Sequence, residues 1–211
     1  GAQASLRISV MSQNPDLVGR LFNAKIVELS LATIPGYTGR SGMPAGPYIQ
    51  YWPALIDSKF ITEMVHIDGK SIEVTPTSQM DYEEIYYQKE PYENEMPDAD
   101  KLITTKFGNL YGTRSGDKGG CANLGVWAKN QETYAYLFEF LTVEKLKELL
   151  PDLRNFEIDR YDLPNIFSLN FYVHDILQEG VSSSTRLDGQ AKSLGEYLRA
   201  KDIEVPDFLI N

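Results

Sequence analysis

The stretch that most constrains the fold runs from Tyr111 to Trp127 and reads Tyr-Gly-Thr-Arg-Ser-Gly-Asp-Lys-Gly-Gly-Cys-Ala-Asn-Leu-Gly-Val-Trp. Two runs with strand character, about 107–113 and 122–128, flank a segment too rich in glycine to be a helix. The expectation is a hairpin joined by a loop over 115–120. That loop also carries Arg114, Ser115, Asp117 and Lys118 beside Gly119 and Gly120. Glycines let consecutive backbone N–H groups point inward and the two cations add charge, so an anionic group is the natural guest.

The rest of the second half alternates in the same style. Helices are expected over 131–141 and, capped by Thr142, over 143–150, with Pro151 ending the second. A strand pair follows over 156–161 and 166–175 around Leu163-Pro164, then a last helix over 191–201 and a short edge strand at 203–205. Hairpin, helix, hairpin, helix describes a two-layer α+β sandwich.

The first half reads as a separate small α+β unit, residues 1–75. Leu6, Ile8 and Val10 alternate with polar residues as in a half-buried strand. Asn14-Pro15-Asp16 starts a helix, with a capping side chain, a proline at the first position and a carboxylate near the positive dipole end. Ile34-Pro35-Gly36 stops that helix. Asp68-Gly69 signals a two-residue hairpin between 60–67 and 70–75. An opening strand with a bare edge predicts self-association or cover by a further domain. Between the halves, 76–100 holds eight carboxylates (Asp81, Glu83, Glu84, Glu90, Glu93, Glu95, Asp98, Asp100) against Lys89 alone, with Pro76, Pro91 and Pro97. This is an acidic, Pro/Tyr-rich linker or arm, and the second unit is 101–211.

Composition excludes several classes. A net charge of -10 disfavours nucleic acid as a partner. The apolar runs are broken by charge, so no membrane span is expected, and the chain opens on no basic-then-apolar leader. One cysteine excludes an internal disulfide framework and suits a reducing, cytoplasmic compartment. His66 and His174 are the only histidines and have no spaced partners, so no metal is expected, nor any cofactor. No nucleophile elbow, phosphate loop, dinucleotide fingerprint or zinc-protease motif is present.

Thr113-Arg-Ser-Gly-Asp-Lys-Gly-Gly followed by Ala-Asn-Leu-Gly-Val-Trp-Ala resembles the C-terminal signature of the acyclic terpene utilization (AtuA) proteins. A second stretch, Glu179-Gly-Val-Ser-Ser-Ser-Thr-Arg-Leu-Asp-Gly-Gln-Ala-Lys-Ser-Leu-Gly-Glu-Tyr-Leu, resembles that family's second motif, and Tyr51-Trp52-Pro53 resembles the end of its large N-terminal domain. The resemblance implies a ferredoxin-like fold for the second half, a chain that corresponds to the tail of a longer protein, and a role near branched acyl-CoA or carboxylate intermediates. Cys121 stands where relatives carry a polar residue, which implies that its thiol is not an essential nucleophile.

Together the two motifs nominate Asp117, Lys118 and Asp188 for acid/base chemistry. Arg114, Ser115, Gly119, Gly120, Asn123, Ser184 and Arg186 would hold an anionic small molecule, an acyl-CoA or a carboxylate. The reaction class would be lyase, hydratase or hydrolase within a larger protein, working as a homo-oligomer or with a missing N-terminal domain. A plainer reading stands beside it. The glycines make a turn, the hydroxyls and Asp188 cap backbone groups, and the chain is a non-catalytic assembly module.

Overall fold

The structure is a computed structural model and describes residues 6–29, 45–74 and 101–210. The acidic segment 76–100 and the helix stop at Pro35 lie outside the described residues. The helix predicted from Asn14 forms as two pieces. In α1 (Pro15–Val18) Asn14 accepts from the Asp16 N–H, and Gly19 separates α1 from α2 (Arg20–Leu29). Residues 6–10, expected as a strand, have no regular structure. A strand needs a neighbour to take its backbone hydrogen bonds, and none of the described residues pairs with this segment. The hairpin of β1 (Glu63–Ile67) and β2 (Lys70–Val74) turns at Asp68 and Gly69, both at positive φ, as that dipeptide predicts. All of its residues are exposed.

Every buried residue among the described ones lies between Phe107 and Leu209. β3 (Leu102–Lys106) leads into one turn of helix, α3 (Phe107–Leu110), and then into β4 (Gly112–Lys118) and β5 (Cys121–Trp127). Here the sequence reading is corrected twice. Residues 107–110 are helical, and the supposed loop 115–120 is mostly strand, because β4 pairs with β5 in unbroken register from Gly112↔Trp127 to Lys118↔Cys121. Only Gly119-Gly120 turns. Cross-strand hydrogen bonds outweigh the entropic cost of Gly112 and Gly116 within the strand.

Helices α4 (Gln131–Phe140) and α5 (Val143–Leu149) form where expected. Asn130 and Thr133 make a reciprocal capping box on the first, and Thr142 caps the second. β6 (Ile158–Leu163) and β7 (Ser168–Val173) complete an antiparallel sheet ordered β4-β5-β7-β6. Arg160 on β6 donates to the Phe138 and Leu141 carbonyls at the end of α4, fastening helix to sheet. The last helix, α6 (Leu194–Arg199), is shorter than predicted, and β8 (Asp202–Pro206) forms where the short edge strand is expected, paired with β3 in a two-stranded sheet. That partner, β3, went unread.

The sheet has one covered face and one open face. Ala122, Leu124, Val126, Leu169, Phe171 and Val173 point into a core filled by Tyr134, Leu137, Leu146 and Leu198. Alternation puts Asn123, Gly125 and Trp127 of β5, Asn170 and Tyr172 of β7, and Asp159, Tyr161 and Leu163 of β6 on the other side. Trp127, Tyr161 and Leu163 remain 43%, 51% and 42% exposed. Helices on one side of an antiparallel sheet agree with the predicted α+β class. No helix among the described residues is long and apolar enough to cross a membrane.

Candidate functional site

The two motifs meet. Ser115 faces the core side of β4, 8% exposed, where its Oγ accepts from the Gly195 N–H at 2.9 Å and donates to the Lys192 carbonyl at 3.4 Å. Gly195 lets α6 approach this closely, since a Cβ there would stand 2.7 Å from Thr113 Oγ1. Asp188 is equally committed. Its two carboxylate oxygens accept from the Lys192 and Ser193 N–H groups, each at 2.9 Å, and from the Ser193 hydroxyl at 2.8 Å. Ser184 Oγ accepts from the Arg186 N–H at 3.3 Å and shapes the preceding turn. These groups build the seam between β4 and the segment before α6.

Gly119 and Gly120 serve contact as well as turning. Gly119, at φ +64°, lies under the Tyr51 ring, and a Cβ on Gly120 would run into the Gln178 carbonyl. The Tyr51 N–H donates to the Glu179 carbonyl at 2.8 Å, so the Tyr51-Trp52-Pro53 segment is tied to the domain at this corner. An open cleft of about 390 Å³ lies there, between Tyr51 and Pro53 on one side and Lys118, Cys121 and Tyr172 on the other. Asp175 and Glu179 also line it, which makes it a poor receptacle for an anion. A hydrogen bond with the Cys121 thiol, helped by burial, pushes Tyr172 up to about 12.

Positive charge collects instead on the open face around Gly116. Arg114 and Lys118 are two residues to either side of Gly116 and so project from the same face of β4. Lys192 reaches over the strand, its Nζ 2.8 Å from where a Gly116 Cβ would stand and 3.6 Å from Asp117 Oδ1. Lys118 Nζ donates to the Asp117 carbonyl at 3.0 Å. Arg114 is exposed and makes no hydrogen bond or ion pair through its guanidinium among the described residues. Asn123, directly opposite Gly116, donates its amide to Asn170 at 3.2 Å. Lys192 thus covers Gly116, between the positions of Arg114 and Lys118 along the strand. The guanidinium of Arg186 is likewise unbonded among the described residues, and in the seam it is Lys192, not Arg186, that reaches β4. Lys192 belongs to the second motif but is not among the site residues that the motif nominates. No local signal marks it, because Lys192 meets Gly116 and Asp117 across a long stretch of chain.

The opposite edge of the same face is acidic. Glu157, Asp159 and His174 bring their ligand-type atoms within 4.8 Å of one another, and His174 Nε2 and Asp159 Oδ2 are 2.8 Å apart. The hydrogen bond to Asp159 is the main cause of a raised His174 pKa. The pair's contribution to folding is fully present below the ordinary histidine value of about 6.5 and is lost as pH rises through the raised value. A proton NMR titration is expected to place His174 above that ordinary value and Asp159→Asn to bring it down; an unmoved pKa in the variant would remove the assigned cause.

Compared with protein-family models, residues 105–204, just under half of the chain, match the AtuA ferredoxin-like domain. The match starts inside β3 and ends inside β8, so it spans the sandwich described above. Searches of curated proteins and of solved structures found no match.

Proposed function

We propose, from the premise that residues 105–204 form an AtuA ferredoxin-like domain, that the chain is the C-terminal part of an AtuA-type catabolic protein and binds the anionic portion of a branched acyl-CoA or carboxylate intermediate. The placement of Arg114 and Lys118 on one face of β4, with Lys192 reaching over Gly116 between them in the strand, carries this reading. Lys192 lies beside Asp117 and Lys118 shares its cleft with Asp175 and Glu179, so the reading leans on Arg114, whose guanidinium has no partner among the described residues and can form a forked pair with carboxylate or phosphate. The acyl-CoA and acyclic terpene assignments come from the family resemblance. Asp117 and Lys118 are the groups available for proton transfer, because the Asp188 carboxylate is occupied by backbone donors.

Calorimetric titration of the full chain with free coenzyme A and with a branched acyl-CoA tests the site. Arg114→Ala is expected to weaken binding by about tenfold to a hundredfold with little change in thermal stability, in line with charge-assisted hydrogen bonds worth roughly 1.5–3 kcal/mol. The opposite pattern, unchanged affinity with lost stability, would make Arg114 structural.

A further inference from the structure

We propose that the open face of the sheet docks on the same face of a second copy of this chain, about a two-fold axis running along the strands. The register decides the axis. Rows across the sheet join Arg114 to Tyr161 and Gly116 to Asp159 through the β5 and β7 residues between them. One step further, His174 donates its N–H to the Glu157 carbonyl, which extends the ladder and places Glu157 on the row of Lys118. A two-fold along the strands keeps each row and reverses its order. Lys118 then meets Glu157 of the other copy, Arg114 meets the Tyr161 ring, and Asp159 comes over the cleared position at Gly116, where Lys192 stands. Leu163 packs on the Trp127 ring, which lies across Gly112.

A two-fold across the strands would stack β4 on β4 and set Arg114 and Lys118 against their own copies, so like-charge repulsion rejects it. The chosen axis makes the face self-complementary, as an isologous interface must be. Sheets packed face to face diverge by about 30°, so the pairing holds best near the axis. Four strands at a spacing of about 4.8 Å and a length of about 20 Å give each copy roughly 400 Å². That is the size of a transient contact, and association is expected at micromolar to millimolar concentrations.

The interface uses the cations of the proposed anion site and rests on that reading only in one consequence: ligand and second copy compete. Sedimentation equilibrium of the full chain at low salt, over rising concentration, reads the dimer. Lys118→Glu and Glu157→Lys are each expected to weaken it at least about tenfold, since each change breaks two symmetry-related pairs and adds repulsion, and the double variant should recover to within about threefold. A monomer at every concentration would overturn the proposal. So would association unmoved by the single changes, which would place it on another surface such as residues 45–74, or a double variant that does not recover. Glu157→Lys keeps all three cations and should bind coenzyme A at least as well as the parent chain. If it binds none while the charge-swap pattern holds, the anion reading fails and the dimer stands.

Discussion

Phe171→Ala is expected to lower the free energy of unfolding by about 3–5 kcal/mol, whereas Tyr172→Ala, one residue along the same strand, is expected to cost about 1 kcal/mol or less. Phe171 is wholly buried, opposite Leu124 on β5 and Arg160 on β6, and truncation there leaves a cavity the helix layer cannot close. Tyr172 stands on the open face, opposite Asn123 and Asp159, and loses chiefly its bond with Cys121. Chemical denaturation of both variants at a concentration too low for association measures the contrast. Equal costs would mean that the faces are assigned wrongly, and the cation cluster around Gly116 and the self-complementary surface would lose their geometry together.

Ser115→Ala carries the second large effect, a loss of about 1–3 kcal/mol of stability. The hydroxyl is the acceptor for the buried Gly195 N–H, and its removal strands that donor inside the seam between β4 and α6. Coenzyme A affinity should fall less than in Arg114→Ala. An alanine variant as stable as the parent but unable to bind ligand would return Ser115 to the role first expected of it, a ligand-binding hydroxyl. The two serine outcomes therefore separate the structural use of the Thr113 to Gly120 motif from its chemical use.

Much of the fold was legible because it depends on neighbours in sequence. Asn14 and Thr142 cap as their side chains and positions predict, Asp68-Gly69 turns a hairpin, and the alternation in 166–175 marks β7. Each is a local matter of dihedral preference, short-range hydrogen bonding or side-chain period. The candidate site was legible in part for the same reason. The Thr113 to Gly120 motif named Arg114 and Lys118, whereas the β5 register is what sets them on one face.

What the tertiary structure decided has long-range causes. β3 exists because Leu102–Lys106 finds β8, about a hundred residues away, and the isolated alternation at 6–10 is not a strand because it finds nothing among the described residues. Three glycines in and beside β4 read as a loop until the β5 register absorbed all but the last two residues of the segment. Lys192 joins the cations only because α6 is drawn onto β4 through Ser115 and Gly195, and the acidic edge at Glu157 and Asp159 opposes them only because β6 closes the far side of the sheet. Local chemistry in the sequence determined the elements and the charges they carry. Packing over long sequence separations determined which of those charges came to share a face.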